Sequence, residues 1–162
     1  MIALVSLGVV LTAIAIHDCR NGRVPLAWLV LVPMLGLAVD PTRNPWIAAA
    51  IGAGLVAAAI MAGLVARFFR PDAAPVLGFG AADLCLIGGA GSWMSEDAAA
   101  LPGLFLASCG AAALVWARIW RRIGRPDWPG RGGKNDLFPA LPPLCLSLMI
   151  TAAYQSFTVY TR

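Results

Sequence analysis

Residues Trp46 to Phe69 read WIAAAIGAGLVAAAIMAGLVARFF, and Arg67 is the one charged side chain among them. A helix rises about 1.5 Å per residue and the hydrocarbon layer of a bilayer is about 30 Å thick, so about 20 apolar residues cross it. This run has residues to spare. Its expected solvent is lipid rather than water.

The rest of the chain is of the same kind. Of its 162 residues 60% are hydrophobic and 12% charged, with a mean hydropathy of +0.79. Soluble domains carry roughly 25% charged residues, so too little polar surface remains here to coat a globule. Apolar runs fall at about 1–17, 25–39, 46–69, 75–94, 99–120 and 138–160. They predict an all-α, polytopic membrane helix bundle of about six transmembrane helices, forming a single domain over residues 1–162. Five spans is the fallback. The second run is short and contains Pro33, and the fourth is glycine-rich, holds Asp83 and reads as a broken or re-entrant helix. A signal peptide is the rival reading of residues 1–17, but such peptides open on positive charge, and no charged side chain precedes His17.

Basic residues mark the orientation. Arg20 and Arg23 follow the first run, and Arg67 and Arg70 end the third. Arg118, Arg121, Arg122, Arg125, Arg131 and Lys134 cluster after the fifth. These gaps hold ten of the 12 Lys and Arg residues; the second gap holds only Arg43. The positive-inside rule places the basic gaps in the cytoplasm and both termini outside. The net charge of +4 forms no stripe on an amphipathic face, so no nucleic-acid partner is expected. Residues 121–136, RRIGRPDWPGRGGKND, form the one soluble-looking stretch: a basic cytoplasmic loop suited to anionic lipid headgroups, or to recognising a partner. The cysteines (Cys19, Cys85, Cys109, Cys145) stand singly, as buried free thiols would, with no pairing that suggests zinc or disulfides.

Two acids stand apart from those in loops. Asp18 closes the first run on its cytoplasmic side, and Asp83 lies about eight residues into the fourth, counted from Val76. A charge in hydrocarbon costs some 2.5–3.5 kcal/mol even on lenient insertion scales, so such groups face a bundle interior or a wet cavity. Salt bridges are one explanation: Asp18 with Arg20 or Arg23, Asp83 with Arg67 or Arg70. The other is joint chemistry. Two carboxyls close together share a proton; the ionised one takes a proton from water while the protonated one polarises a carbonyl. That chemistry needs no metal and no cofactor. His17 is the sole histidine, and no serine stands in a Gly-x-Ser-x-Gly setting. Gly78 and Gly80, just before Asp83, let a helix start loosely and backbones approach, or simply pack helices.

At these residues the chain resembles the type IV prepilin peptidases, the bacterial branch of the Gly-x-Gly-Asp intramembrane aspartic proteases. Asp18-Cys-Arg-Asn-Gly-Arg-Val-Pro25 is similar to the family's acid at a cytoplasmic helix end, followed by basic residues and a Val-Pro or Ile-Pro. Gly78-Phe-Gly-Ala-Ala-Asp-Leu-Cys-Leu86, with Trp93 behind it, resembles Gly-x-Gly-x-Gly-Asp-x-Lys-Leu and a following Gly-x-Trp. Phe138-Pro-Ala-Leu-Pro-Pro-Leu144 resembles the segment opening the family's last span. The likeness covers nearly the whole chain and maps the catalytic dyad onto Asp18 and Asp83. Gly78 and Gly80 would shape the site, and Arg20 and Arg23 would steer substrate or hold the membrane surface.

The resemblance implies an endopeptidase of the bacterial inner membrane. It would cut prepilin or pilin-like precursors at the cytoplasmic face, between a positive leader and an apolar helix, alongside pilus or secretion assembly components. The size resembles the short form found with tight-adherence and Flp-type pili; without the long form's Cys-x-x-Cys pairs, no methyl transfer is expected. Three departures bear on activity. Ala82 replaces the glycine before the acid, Cys85 replaces the lysine after it, and the last-span motif lacks its glycine. Alanine at 82 is strained if that residue needs positive φ and harmless if it is helical. A non-catalytic scaffold of a pilus assembly and a small ion- or proton-coupled subunit are the alternatives.

Overall fold

The computed structural model describes residues 2–21, 24–40, 42–69, 80–94, 100–123 and 140–160. All are helix or short connection, with no strand among the described residues. The helices are α1 (Ile2–Asn21), α2 (Leu26–Val39), α3 (Pro45–Phe69), α4 (Ala81–Ala90), α5 (Ala100–Ile123) and α6 (Leu141–Tyr160). A 3-10 turn, Gly91–Trp93, continues α4. Each of the six apolar runs thus contains one helix.

Local chemistry sets the ends. Asn44 accepts the Trp46 N–H at 2.9 Å and Pro45 takes the first helical position, so α3 starts as a capped helix should. Pro142 and Pro143 occupy the first turn of α6, where a missing N–H costs nothing. Other limits differ from the sequence reading. Arg20 belongs to the last turn of α1, and residues 121–123 belong to α5 rather than to a loop. Residues 124–136 of the expected basic loop lie outside the described residues.

Three helices are long and apolar enough to cross a bilayer: Leu4–Asn21, Pro45–Val65 and Ala100–Ile119. The 14 residues of α2 are apolar but span only about 21 Å. The 10 residues of α4 span about 15 Å, half the hydrocarbon thickness. Outward faces are greasy: Val30, Leu31 and Met34 on α2, Met61 and Leu64 on α3, and Leu114 and Val115 on α5 are exposed. A water-soluble chain of this size does not display such a surface, and the protein is a membrane protein.

Helix directions follow from side-chain meetings. Asp18 faces Leu141, while Gly8 faces Met149, so α1 and α6 are antiparallel. Pro33 lies against Gly89 and Gly36 against Ser92, so α2 and α4 run parallel. Ala48 and Gly52 meet Gly91, and Val56 meets Gly88, so α3 opposes α4. Buried stripes close the interior: Leu7, Leu11 and Ile14 of α1, Leu86, Ile87 and Ala90 of α4, Leu101 and Phe105 of α5, and Leu141, Leu144 and Leu148 of α6. Helix α4 is the bundle's inner rod, with nearly every residue from Leu86 to Met94 buried.

Candidate active site

Asp18 extends the buried stripe of α1. Leu7, Leu11, Ile14 and Asp18 fall at helical spacing on one face, and Asp18 is only 7% exposed. What it meets is the first turn of α6. Four N–H groups at a helix start lack partners within the helix. In α6 Pro142 and Pro143 have none to offer, and the Leu144 N–H turns back to the Ala140 carbonyl at 3.5 Å. The Leu141 N–H is left, and it donates to Oδ2 of Asp18 at 3.4 Å. A carboxylate there also sits favourably at the positive end of the α6 dipole.

Asp83 is 8% exposed and opens the buried face of α4. It stands in the helix's first turn. Gly80 has extended backbone (φ −75°, ψ 167°) and α4 starts after it; residues 76–79, from which the depth of Asp83 in the fourth run was counted, lie outside the described residues. Oδ2 of Asp83 accepts the Gly80 N–H at 2.7 Å, the return bond of a capping box. Gly80 therefore contributes its N–H to the site, which any residue except proline supplies; its φ and ψ are not reserved to glycine. Ala82 lies within α4 and is helical, so the alanine that breaks the Gly-x-Gly-Asp pattern carries no backbone strain.

Helix α6 is a neighbour common to both acid-bearing helices. It packs on both α1 and α4, and the buried Cys145 thiol, one turn beyond Leu141, lies close enough to both Asp18 and Asp83 for their charges to act on it. Cys19 also bears on it. In the sequence Cys145 read as one of four buried free thiols, and its nearness to the acids was not visible there. Gly80 and Ala81, just before Asp83, are exposed.

The remaining candidates divide. Arg20 is exposed at this end of the bundle. Arg23 and Gly78 lie outside the described residues, as do Arg70 and the side chain of Arg67, so those proposed salt-bridge partners have no geometry to report. His17 turns to the α1–α2 connection: its ring lies 5.4 Å from that of Trp28 and bonds Asn21. Burial of the free thiols holds for Cys145 alone. Cys85, in the place of the family's lysine, is exposed, and Cys19 and Cys109 are intermediate. Among the described residues no three metal-capable side chains gather.

The site thus consists of two buried carboxyls, each accepting a helix-start N–H, and a buried thiol on α6 that feels both. Its groups can accept and donate protons; the described side chains supply no activated nucleophile. Comparison of the chain with protein-family models, with curated proteins and with solved structures gives no match.

Proposed function

We propose that the protein is an intramembrane aspartic endopeptidase of the bacterial inner membrane. It removes the leader of prepilin or pilin-like precursors at the cytoplasmic face. Asp18 and Asp83 share one proton: the ionised carboxylate draws a proton from water as it attacks, and the protonated carboxyl donates to the scissile carbonyl oxygen. The tetrahedral intermediate collapses as a carboxyl returns a proton to the leaving amine. In this reading the chain crosses the membrane six times, with both termini outside, the acid end cytoplasmic, and pilus or secretion components nearby.

The observation that carries the reading is that two acids, the only buried charged side chains among the described residues, each accept an N–H at a helix start, Asp18 from α6 and Asp83 from the residue before α4. The placement of ten of 12 basic residues in alternate gaps supports the orientation. The likeness of the Asp18–Pro25 and Gly78–Leu86 segments to the prepilin peptidases supports the substrate class. An ion-coupled subunit is disfavoured: both acids sit at helix ends rather than mid-bundle. The buried hydroxyls of Ser147 and Thr151 on α6 donate to carbonyls of their own helix, so they form no relay between the ends.

Co-expression with a candidate prepilin tests the proposal. Leader removal is expected with the unaltered chain and lost with Asp18→Ala and with Asp83→Ala. Processing that survives either change rejects the dyad. Assembly of pili without any processing by the unaltered chain points to a scaffold instead.

A further inference from the structure

At the end of α4 opposite Asp83, a second polar group has formed around Arg43, the lone basic residue of its gap. Between α2 and α3 the Arg43 N–H donates to the Asp40 carbonyl at 3.1 Å, and Asp40 Oδ1 accepts both the hydroxyl (2.6 Å) and the N–H (3.2 Å) of Thr42. From there the Arg43 side chain, 11% exposed, reaches inward, with Nη2 3.7 Å from Asp40 Oδ2. Its Nη1 donates to the carbonyl of Ser92. Gln155, from the far part of α6, takes the orientation that pairs donor with acceptor at both contacts. Its amide nitrogen donates to the Trp93 carbonyl, and its oxygen accepts from Arg43 Nη2 at 2.9 Å. The Trp93 indole N–H donates to the Val32 carbonyl of α2 at 2.9 Å.

We propose that Arg43 and Gln155 are positioning residues that fix where α4 stands along its own axis, and so where Asp83 stands against α6. The last carbonyls of a helix have no partner within it, and buried they demand one. Here they receive a guanidinium and an amide, and the cation also faces the negative end of the helix dipole. Along its sides α4 meets its neighbours closely: the backbones of α3 and α4 touch at Gly52 and Gly88, and Ser92 seats against Gly36 of α2. Arg43 and Gln155 add the polar hold at its end. The rod of α4 and its 3-10 turn is about 21 Å long and stiff, so a shift at Ser92 is delivered to Asp83 nearly whole. The clamp stands on its own geometry; its consequence for proteolysis rests on the peptidase reading.

Cys145 reports the far end of the rod without any substrate. In the unaltered chain held in lipid nanodiscs, N-ethylmaleimide labelling mapped by peptide mass spectrometry reads all four thiols at once. Arg43→Ala is expected to speed Cys145 labelling roughly tenfold, as local opening at the α4–α6 contact becomes easier. Arg43→Lys, which keeps the charge and one donor, falls between, and Cys109 on α5 stays as it was. Should Arg43→Ala fail to fold, Gln155→Ala decides, with a smaller rise at Cys145. Unchanged Cys145 labelling in the folded variants, or an equal rise at Cys109, overturns the clamp. In a prepilin assay Arg43→Ala is expected to lower kcat and leave KM, with Arg43→Lys restoring part of the loss. Labelling as described in a chain that processes nothing keeps the clamp and rejects the peptidase. Processing with unaltered kcat in Arg43→Ala keeps the peptidase and rejects the clamp.

Discussion

The two ends of α4 are built on opposite plans. At Asp83 a buried carboxyl is held by one backbone N–H and flanked by exposed residues. At Ser92 and Trp93 the groups left at the helix end are carbonyls, and they are covered by an arginine and a glutamine from two other parts of the chain. One end carries an acid held lightly from its own backbone, and the other is bound to two distant segments.

The largest effect is expected where α3 crosses the held half of α4. A Cβ on Gly52 would collide with the Gly88 carbonyl, which is backbone and cannot swing aside. Gly52→Ala is expected to destabilise by about 3 kcal/mol through overpacking, read as a lowered thermal midpoint in detergent. Gly80→Ala tests the contrast at the lightly held half. A Cβ there meets only Asp83 Oδ2, at 3.4 Å, in a backbone conformation open to any residue, so the midpoint should hardly move. If Gly80→Ala proves the more damaging, the division of α4 into a firmly and a lightly held end is wrong.

The motif departure offers a middle-sized test. Because Ala82 is helical, Ala82→Gly, which would give the Gly-x-Gly-Asp pattern that the chain resembles, is expected to cost about 0.5–1 kcal/mol of stability without raising processing. A gain in kcat would mean that the chain before Asp83 leaves the helix when substrate binds.

Much of this was legible beforehand. The apolar runs marked every described helix, and three of those helices are long and apolar enough to cross a bilayer. The burial of Asp18 was implicit too, since it falls four residues after Ile14 on the stripe that begins at Leu7. What could not be read were features that depend on which helix neighbours which. Gly52 looked like any small residue of α3 until Gly88 lay against it. Arg43 looked like a stray charge, and Cys145 like a core residue. Where the fourth run turns helical could not be read either, because apolar character continues upstream of Ala81, whereas Gly80 has extended backbone and α4 begins after it.

The smallest effect belongs to the turn that carries Arg43. The Thr42 hydroxyl, and after it the Arg43 charge, hold the Asp40 carboxyl below the usual carboxylate range. A depressed folded-state value contributes stability above the unfolded-state range, and that stability fades as pH falls through it. Asp40 is well exposed, so the contribution is slight and screened by salt. Asp40→Asn should flatten the acid limb of the thermal midpoint below about pH 4, where unperturbed carboxyls titrate, and leave neutral pH unchanged. A drop at neutral pH would mean that Asp40 braces Arg43 more firmly than an exposed pair does.

The most direct measurement is the prepilin cleavage rate of the purified protein with each acid removed and with both removed. Residues that act as one unit are not additive, so Asp18→Ala, Asp83→Ala and the double variant should all fall to the same background rate. A double variant slower than either single one by the product of their effects, or a single variant that still cuts, would contradict a shared proton between α1 and α4.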